Sequence, residues 1–404
     1  MSINTTADVI VAGAGPAGAM AAIAAARKGA DTLLIERSGC AGGIWTSGLL
    51  SWMLDVTNKG GILKELCARI ESADEGYYAR FGNFITFPES VKLTLEEMFA
   101  EAGVRVLYYT QVTGCEKEGN RLTKVITQSK AGRIDFTAKQ FVDATGDGDL
   151  AALAGCSFEM GKPGDGGMQP ASLIALMTGV DPDEVREYNN TLPYLPGKSA
   201  KERMFDLMNG IGITPSYRSP SFFHVKDGIW LVMTVHAYGV NPLDPESLTR
   251  ATIENRAELK KQEEALRALG GPWKNMRIVE TAPYIGIREA RRIKGKYTVT
   301  VDDAIEGKKH EDAVCTVQFE LDVHPLLKDH KGGEEHRDIR TKPYDIPLRA
   351  LESADIENLL LAGRLISGDF LAHSSYRVSG DAAALGEAAG AEAARRILTG
   401  EGIQ

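Results

Sequence analysis

Asp8-Val9-Ile10-Val11-Ala12-Gly13-Ala14-Gly15-Pro16-Ala17-Gly18, followed by Thr32-Leu33-Leu34-Ile35-Glu36, is the stretch whose reading decides the fold. Val9 to Ala12 is an apolar run suited to a strand buried on both faces. Gly13 permits a tight turn, Gly15 lets a pyrophosphate approach the backbone, and Gly18 lets the next helix pack close to the sheet. Pro16 falls at the helix start, where its missing N–H costs nothing. The amides of the turn through Ala17 and the positive end of the helix dipole then face the phosphates. A second strand, Thr32 to Ile35, ends in Glu36, at the spacing of a carboxylate that accepts hydrogen bonds from an adenosine ribose. Strand, glycine turn, helix, strand and acid together predict a dinucleotide site on a parallel α/β sheet.

Which dinucleotide is decided further along. Glu36-Arg37-Ser38-Gly39-Cys40-Ala41-Gly42-Gly43-Ile44-Trp45-Thr46 resembles the "ER…GG…T" signature of FAD-dependent oxidoreductases of the glutathione-reductase-like class. A nicotinamide dehydrogenase has no use for a second glycine pair just after the ribose acid. Val142-Asp143-Ala144-Thr145-Gly146-Asp147 resembles the "ATG" strand end of that class, and Asn358-Leu359-Leu360-Leu361-Ala362-Gly363-Arg364 its last cofactor-domain strand and turn. Ile285 to Ile293 and Ala372 to Val378 are similar to a bacterial family of FAD-dependent oxidoreductases, so the resemblance spans nearly the whole chain. It implies non-covalent FAD held by Gly13, Gly15, Pro16, Ala17, Gly18, Glu36 and Arg37, then by Gly42, Gly43, Thr46 and Val112. Ala144, Thr145, Gly146, Gly363, Arg364, Ser379 and Gly380 complete the implied set. Ser379-Gly380, at the start of the last helix, is expected to aim amides at the flavin ring and stabilise its reduced anion.

Length and composition narrow the rest. A chain of 404 residues can bury a sizeable core and fits two structural units. Its 43% hydrophobic and 25% charged residues are those of a globular protein, and a net charge of -9 argues against nucleic acid or an anionic membrane as partner. The 5 cysteines are odd in number and widely spaced without a CxxC, which excludes a zinc ribbon or disulfide framework and fits a reducing cytoplasm. Val9 to Ala26 carries no charge and is long enough to mimic a membrane helix. Gly13, Gly15, Pro16 and Gly18 interrupt it, so the protein reads as soluble and cytoplasmic, with a homo-oligomer left open.

Along the chain, Leu63 to Ser72 and Lys92 to Ala102 read as helices, and Tyr77, Tyr78, Phe81, Phe84 and Phe87 as a loop of mostly core aromatics. Val104 to Tyr109 reads as a third parallel strand, Thr123 to Ser129 and Arg133 to Lys139 as a meander, and Phe141 to Ala144 as a return to the sheet. Gly161 to Gly167 holds four glycines and a proline, a loop or interdomain hinge. Beyond it, Ser172 to Val180, Gly228 to Ala237, Tyr297 to Val301 and Val314 to Val323 read as strands and Leu248 to Leu269 as a charged helix. The expected fold class is therefore α/β: a Rossmann-like FAD-binding domain with parallel sheet and β-meander, from 1–160 and 341–404. Into it a β-rich α+β substrate domain, 161–340, is inserted. The loop His330 to Arg340, with His330, His336, Glu334, Glu335 and Asp338, lacks an HxH or HxxxH spacing, so no metal is expected.

The implied chemistry is hydride exchange between a small organic molecule and the flavin, with flavin monooxygenase or subunit of a larger complex as alternatives. In the loop expected after Arg364, His373 is the candidate proton-transfer group, with Tyr376 and Arg377 as binders of a substrate oxygen or carboxylate, or as structural residues. Arg288, with Arg291 and Arg292, forms a basic cluster suited to an acidic substrate or to domain-packing ion pairs. Cys40 lies close to the expected flavin, but disulfide oxidoreductases of this class carry two cysteines there, so it reads as a packing residue.

Overall fold

The computed structural model describes residues 4–193, 195–327 and 338–401. At its centre is a five-stranded parallel sheet in the order Leu359–Leu361, Gln140–Asp143, Val9–Ala12, Thr32–Ile35, Arg105–Leu107. Val9–Ala12 lies in the middle and is buried on both faces, as its unbroken apolar run requires. The helix Pro16–Arg27 crosses one face and is itself covered by the closing helix Ser379–Thr399. Small side chains let the two backbones approach: a Cβ on Gly386 or Gly390 would stand 1.9 or 2.0 Å from the carbonyl oxygens of Ala17 and Ala21. The expected meander has a third member: Gln111–Glu118, Arg121–Ser129 and Gly132–Thr137 pair antiparallel in sequence order.

The second layer is a four-stranded antiparallel sheet in the order Ser221–Lys226, Ile229–Met233, Ala175–Thr178, Arg277–Thr281. The helix Pro245–Leu269 packs on it through Leu259 and Leu266. Trp52 and Ile85 join this second core from the first unit, with the Trp52 ring 4.6 Å from that of Phe223. The apolar contacts do not follow a cut at residue 340. Ile293, Val299, Ala304, Cys315 and Val317 belong to the core of the parallel sheet, and Ala313–Val317 pairs with Tyr344–Pro347.

Four local expectations give way. The aromatic stretch is an antiparallel hairpin, Gly76–Ala79 with Asn83–Thr86, not a loop, and only part of it is core. Phe84 is buried, whereas Phe81 at the tip is 70% exposed. The helix expected from Lys92 starts earlier, with Pro88 as the first residue of Pro88–Ala102. Tyr297 to Val301 is not a strand, because Thr300 caps the helix Val301–Glu306 in a reciprocal capping box with Asp303. Finally, the expected loop before the closing helix contains the helix Phe370–Tyr376, capped by Asp369. His330, His336, Glu334 and Glu335 lie outside the described residues.

Candidate functional site

The glycine turn is held open by its neighbours. Gly13 has φ +90°, and a Cβ there would stand 2.7 Å from the Ala144 oxygen, so the first strand's turn and the end of Gln140–Asp143 touch. A Cβ on Gly18 would meet the Gly13 carbonyl at 1.7 Å, the close approach that glycine was expected to allow. Above Gly15 the space is empty: a Cβ there would meet nothing within 4 Å. No side chain caps Pro16–Arg27, leaving its first turn to an anion. Glu36 reaches this turn, Oε2 accepting from the Ala14 amide at 2.7 Å and Oε1 from the Ser38 amide and hydroxyl at 2.8 Å each. Gly43 packs on Gly15, and Gly363 on Ala17. An open cradle over bare amides, flanked by a carboxylate, fits the pyrophosphate and ribose of FAD.

From this cradle runs a cleft of about 1620 Å³. Gly13, Gly15, Pro16, Ala17, Glu36, Arg37, Gly43, Ala144, Thr145, Gly146, Gly363, Arg364 and Ser379 line it. The structure thus brings together most of the residues expected at the cofactor. Gly18, Gly42, Thr46, Val112 and Gly380 stand behind that lining. Gly42 binds the Ala14 carbonyl through its amide, and Thr46 turns its hydroxyl to the Ala41 oxygen at 2.6 Å. Val112 packs half-buried against the main core. The Gly380 amide donates to the Leu54 carbonyl at 3.0 Å, so it does not aim at a ring as expected; a Cβ there would collide with the carbonyl oxygens of Leu54 and Asp55. Arg37 lays its guanidinium 4.9 Å from the Tyr284 ring centre, joining the two units across the cleft.

The far end of the cleft is polar and charged. Tyr217, Arg288, Asp322, His324 and Arg377 line it. Arg288 donates to the Pro170 carbonyl at 2.6 Å, to the Ser172 hydroxyl at 2.8 Å and to His236 Nε2 at 3.2 Å. Burial, and then the neighbouring Arg377, pull its pKa down to about 10. His324 Nε2 lies 3.2 Å from Asp322 Oδ2, which also accepts from Arg377 at 3.2 Å. Burial and Arg288 bring His324 down to about 4, so its ring is neutral at pH 7. Burial pushes Asp322 up, but His324 and the guanidinium groups of Arg377 and Arg288 hold it well below the usual carboxylate range. Tyr217 stacks on His236 at 4.0 Å between ring centres, and burial pushes its phenol up, keeping it protonated.

His373 and Tyr376 do not line this cleft. Both sit on Phe370–Tyr376, each 1% exposed or less, with the Tyr376 hydroxyl donating to the Ile366 carbonyl. Burial, then Arg292, Arg377 and Arg364, hold His373 well below its ordinary value. The basic cluster divides. Arg292 is buried against Glu289 at 3.3 Å and Arg291 pairs with Asp149 at 3.0 Å, so both make ion pairs, whereas Arg288 alone of the three reaches the cleft without a carboxylate. Tyr217, His236, Asp322, His324 and Gln169 were not foreseen; they are scattered from 169 to 324 in segments with no shared spacing. Among the described residues no group of three or more His, Cys, Asp or Glu is set to hold a metal, and no helix is long and apolar enough to cross a membrane. The Cys40 sulfur lies 3.8 and 3.3 Å from the hydroxyls of Thr46 and Ser47.

Comparison with known proteins agrees with this geometry. A digeranylgeranylglycerophospholipid reductase of Methanocella arvoryzae is 36% identical over 155 residues, covering 35% of this chain and 39% of that protein. A thiamine thiazole synthase of Pyrococcus abyssi is 28% identical over 159 residues, 37% of this chain and 61% of its own. The chain therefore matches between two-fifths and three-fifths of these relatives' lengths. Among solved structures, L-amino acid deaminase from Proteus vulgaris shares the fold with a TM-score of 0.50 at 13% identity, covering 95% of this chain and 94% of that one. The model of the family described as "FAD dependent oxidoreductase" matches residues 8–404. With that match over nearly every residue and an open cradle for the nucleotide, the chain belongs to the FAD dependent oxidoreductase family and is an FAD enzyme.

Proposed function

We propose that this protein exchanges a hydride between a small organic substrate and non-covalently bound FAD, at the meeting of the parallel sheet and the antiparallel layer. One observation carries the reading. A single cleft runs from the glycine cradle to the Tyr217–Arg288–Asp322 end, and its about 1620 Å³ exceeds the roughly 300–1,000 Å³ that one ligand occupies. Cofactor and substrate have room end to end, at the carboxyl ends of the parallel strands where such sheets bind ligands. FAD, when bound, supplies the hydride chemistry.

The chain's own part is to bind, orient and move a proton. We assign the proton to His324 rather than to the buried His373. Asp322 carries no proton, so His324 Nε2 donates to it, leaving Nδ1 to accept. His373 instead supports Arg364 and Tyr376 from beneath, its ring edge-on to Tyr376 at 5.4 Å. The test is anaerobic mixing of holoenzyme with a panel of alcohols, amines and acids, followed by the loss of the yellow colour. His324→Ala should keep FAD but slow that loss about 10²–10⁴-fold, the usual worth of acid–base help. Reduction at the unaltered rate would refute the assignment, and bleaching by NADPH alone would favour a monooxygenase.

A further inference from the structure

Resting on that reading of the cleft, we propose that the substrate is a monocarboxylate with an apolar body, its carboxylate docking between the guanidinium groups of Arg288 and Arg377. The two arginines come from distant parts of the chain yet hold the same short segment. Arg288 donates to the Pro170 carbonyl and the Ser172 hydroxyl, and Arg377 to Gln169 Oε1 at 3.4 Å. Both guanidinium groups line the cleft, near enough for Arg377 to lower the pKa of Arg288.

Charge points to what lies between them. Four arginines of this region pair with carboxylates: Arg291 with Asp149, Arg292 with Glu289, Arg364 with Asp147, and Arg377 with Asp322. Among the described residues no carboxylate lies within ion-pair distance of Arg288, and Asp322 acts on it only from farther off; its partners are a carbonyl, a hydroxyl and an imidazole. A guanidinium can only donate, so His236 Nε2 accepts, the ring's proton is on Nδ1, and His236 is neutral. His324 is neutral as well, so neither histidine changes the balance. One positive charge is left over in a mostly enclosed wall, a costly arrangement unless an anion completes it. Arg377 adds a buried Nε–H with no acceptor among the described residues. A carboxylate would satisfy both, with the fork geometry that guanidinium groups favour. A single surplus charge calls for one carboxylate rather than two. Beside it the cleft is walled by Leu50, Ile174, Phe223, Met233 and Ile285, which suit an apolar remainder.

Benzoate and benzamide, alike in shape and different in charge, test this against holoenzyme by calorimetry and by the shift each causes in the visible flavin band. Benzoate should bind at least about tenfold more tightly than benzamide. Phthalate, with a second charge, should bind more weakly than benzoate. Arg288→Gln and Arg377→Gln should each retain FAD and lose about tenfold or more of the benzoate affinity. Equal affinity for the two probes, no benzoate binding at millimolar concentration, or unchanged binding in a folded Arg288→Gln would overturn the proposal. Should the variants fail to fold, the contrast between the probes on the unaltered protein decides alone. A holoenzyme that binds benzoate but is reduced by no donor removes the hydride reading and leaves the carboxylate receptor. One reduced by uncharged donors and indifferent to benzoate does the reverse.

Discussion

At Glu36 one carboxylate ties the end of the second strand to the glycine turn, accepting from Ala14, Ser38 N and Ser38 Oγ. Removing it costs the bonds that shape the cradle and, on the proposed reading, a ribose acceptor as well. Glu36→Ala is expected to weaken FAD about ten- to a hundred-fold, since a charge-assisted hydrogen bond contributes about 1.5–3 kcal/mol. Titration of apoprotein with FAD, followed by flavin fluorescence, reads this directly, and an unchanged Kd would remove Glu36 as a ligand. This residue was legible in the sequence because strand, turn and helix fix its place locally. Arg288 was only partly so, and Asp322 and His324 not at all. Arg288 showed itself as a member of a basic cluster, but nothing in the spacing says which of three arginines is left without a carboxylate. His373 illustrates the converse: its residue type and position suited a base, and only packing shows that Phe370–Tyr376 buries it.

Among the elements, Phe370–Tyr376 is the one most easily missed and the one with the most economical support. Asp369 caps it through Oδ1, accepting from Ala372 N at 2.7 Å, and caps Val301–Glu306 through Oδ2, accepting from Val301 N at 2.7 Å. One carboxylate thus satisfies the first turns of two helices. Asp369→Ala should cost about 2–3 kcal/mol, roughly twice a single lost cap, whereas Thr300→Ala should cost about 1. Urea unfolding of the two variants would show the difference; equal losses would mean that the second cap contributes nothing. The helix was hidden in the sequence by its seven-residue length, too short for a periodic pattern. Tyr297 to Val301 misled for another reason: β-branched residues favour a strand, but Thr300 and Asp303 close a capping box that outweighs them. By contrast, Val9–Ala12, Pro16–Arg27 and Thr32–Ile35 agree with propensity, turn chemistry and burial at once, and there sequence and structure coincide.

For the molecule as a whole, three histidines are held neutral by desolvation: His236 and His373, which are buried, and His324, which is partly so. Each has a folded pKa below the unfolded value near 6.5, so the unfolded chain takes up protons first as the solution is acidified. Stability is therefore complete above about pH 6.5 and falls as the pH drops toward the folded values, about 4 for His324. Each group removes up to about 1.4 kcal/mol per pH unit while only the unfolded chain holds its proton, a sizeable loss against a typical total stability of about 5–15 kcal/mol. The melting temperature should fall steeply between about pH 6.5 and 5; a level profile there would mean that these rings are not held neutral. The same global view explains why the glycine cradle was readable and the charged end of the cleft was not. The parallel sheet and its turn are built from neighbours in sequence, whereas the charged end of the cleft gathers residues from 169 to 377 whose meeting depends on the whole path of the chain. The pairing of Pro16–Arg27 with Ser379–Thr399 carries a consequence for biosynthesis. At about 5–20 residues per second, the first helix emerges tens of seconds before the segment that shields it. Throughout that interval the alanine-rich face that Ser379–Thr399 will cover has no native partner, so the first helix can be synthesised early but finished only at the end.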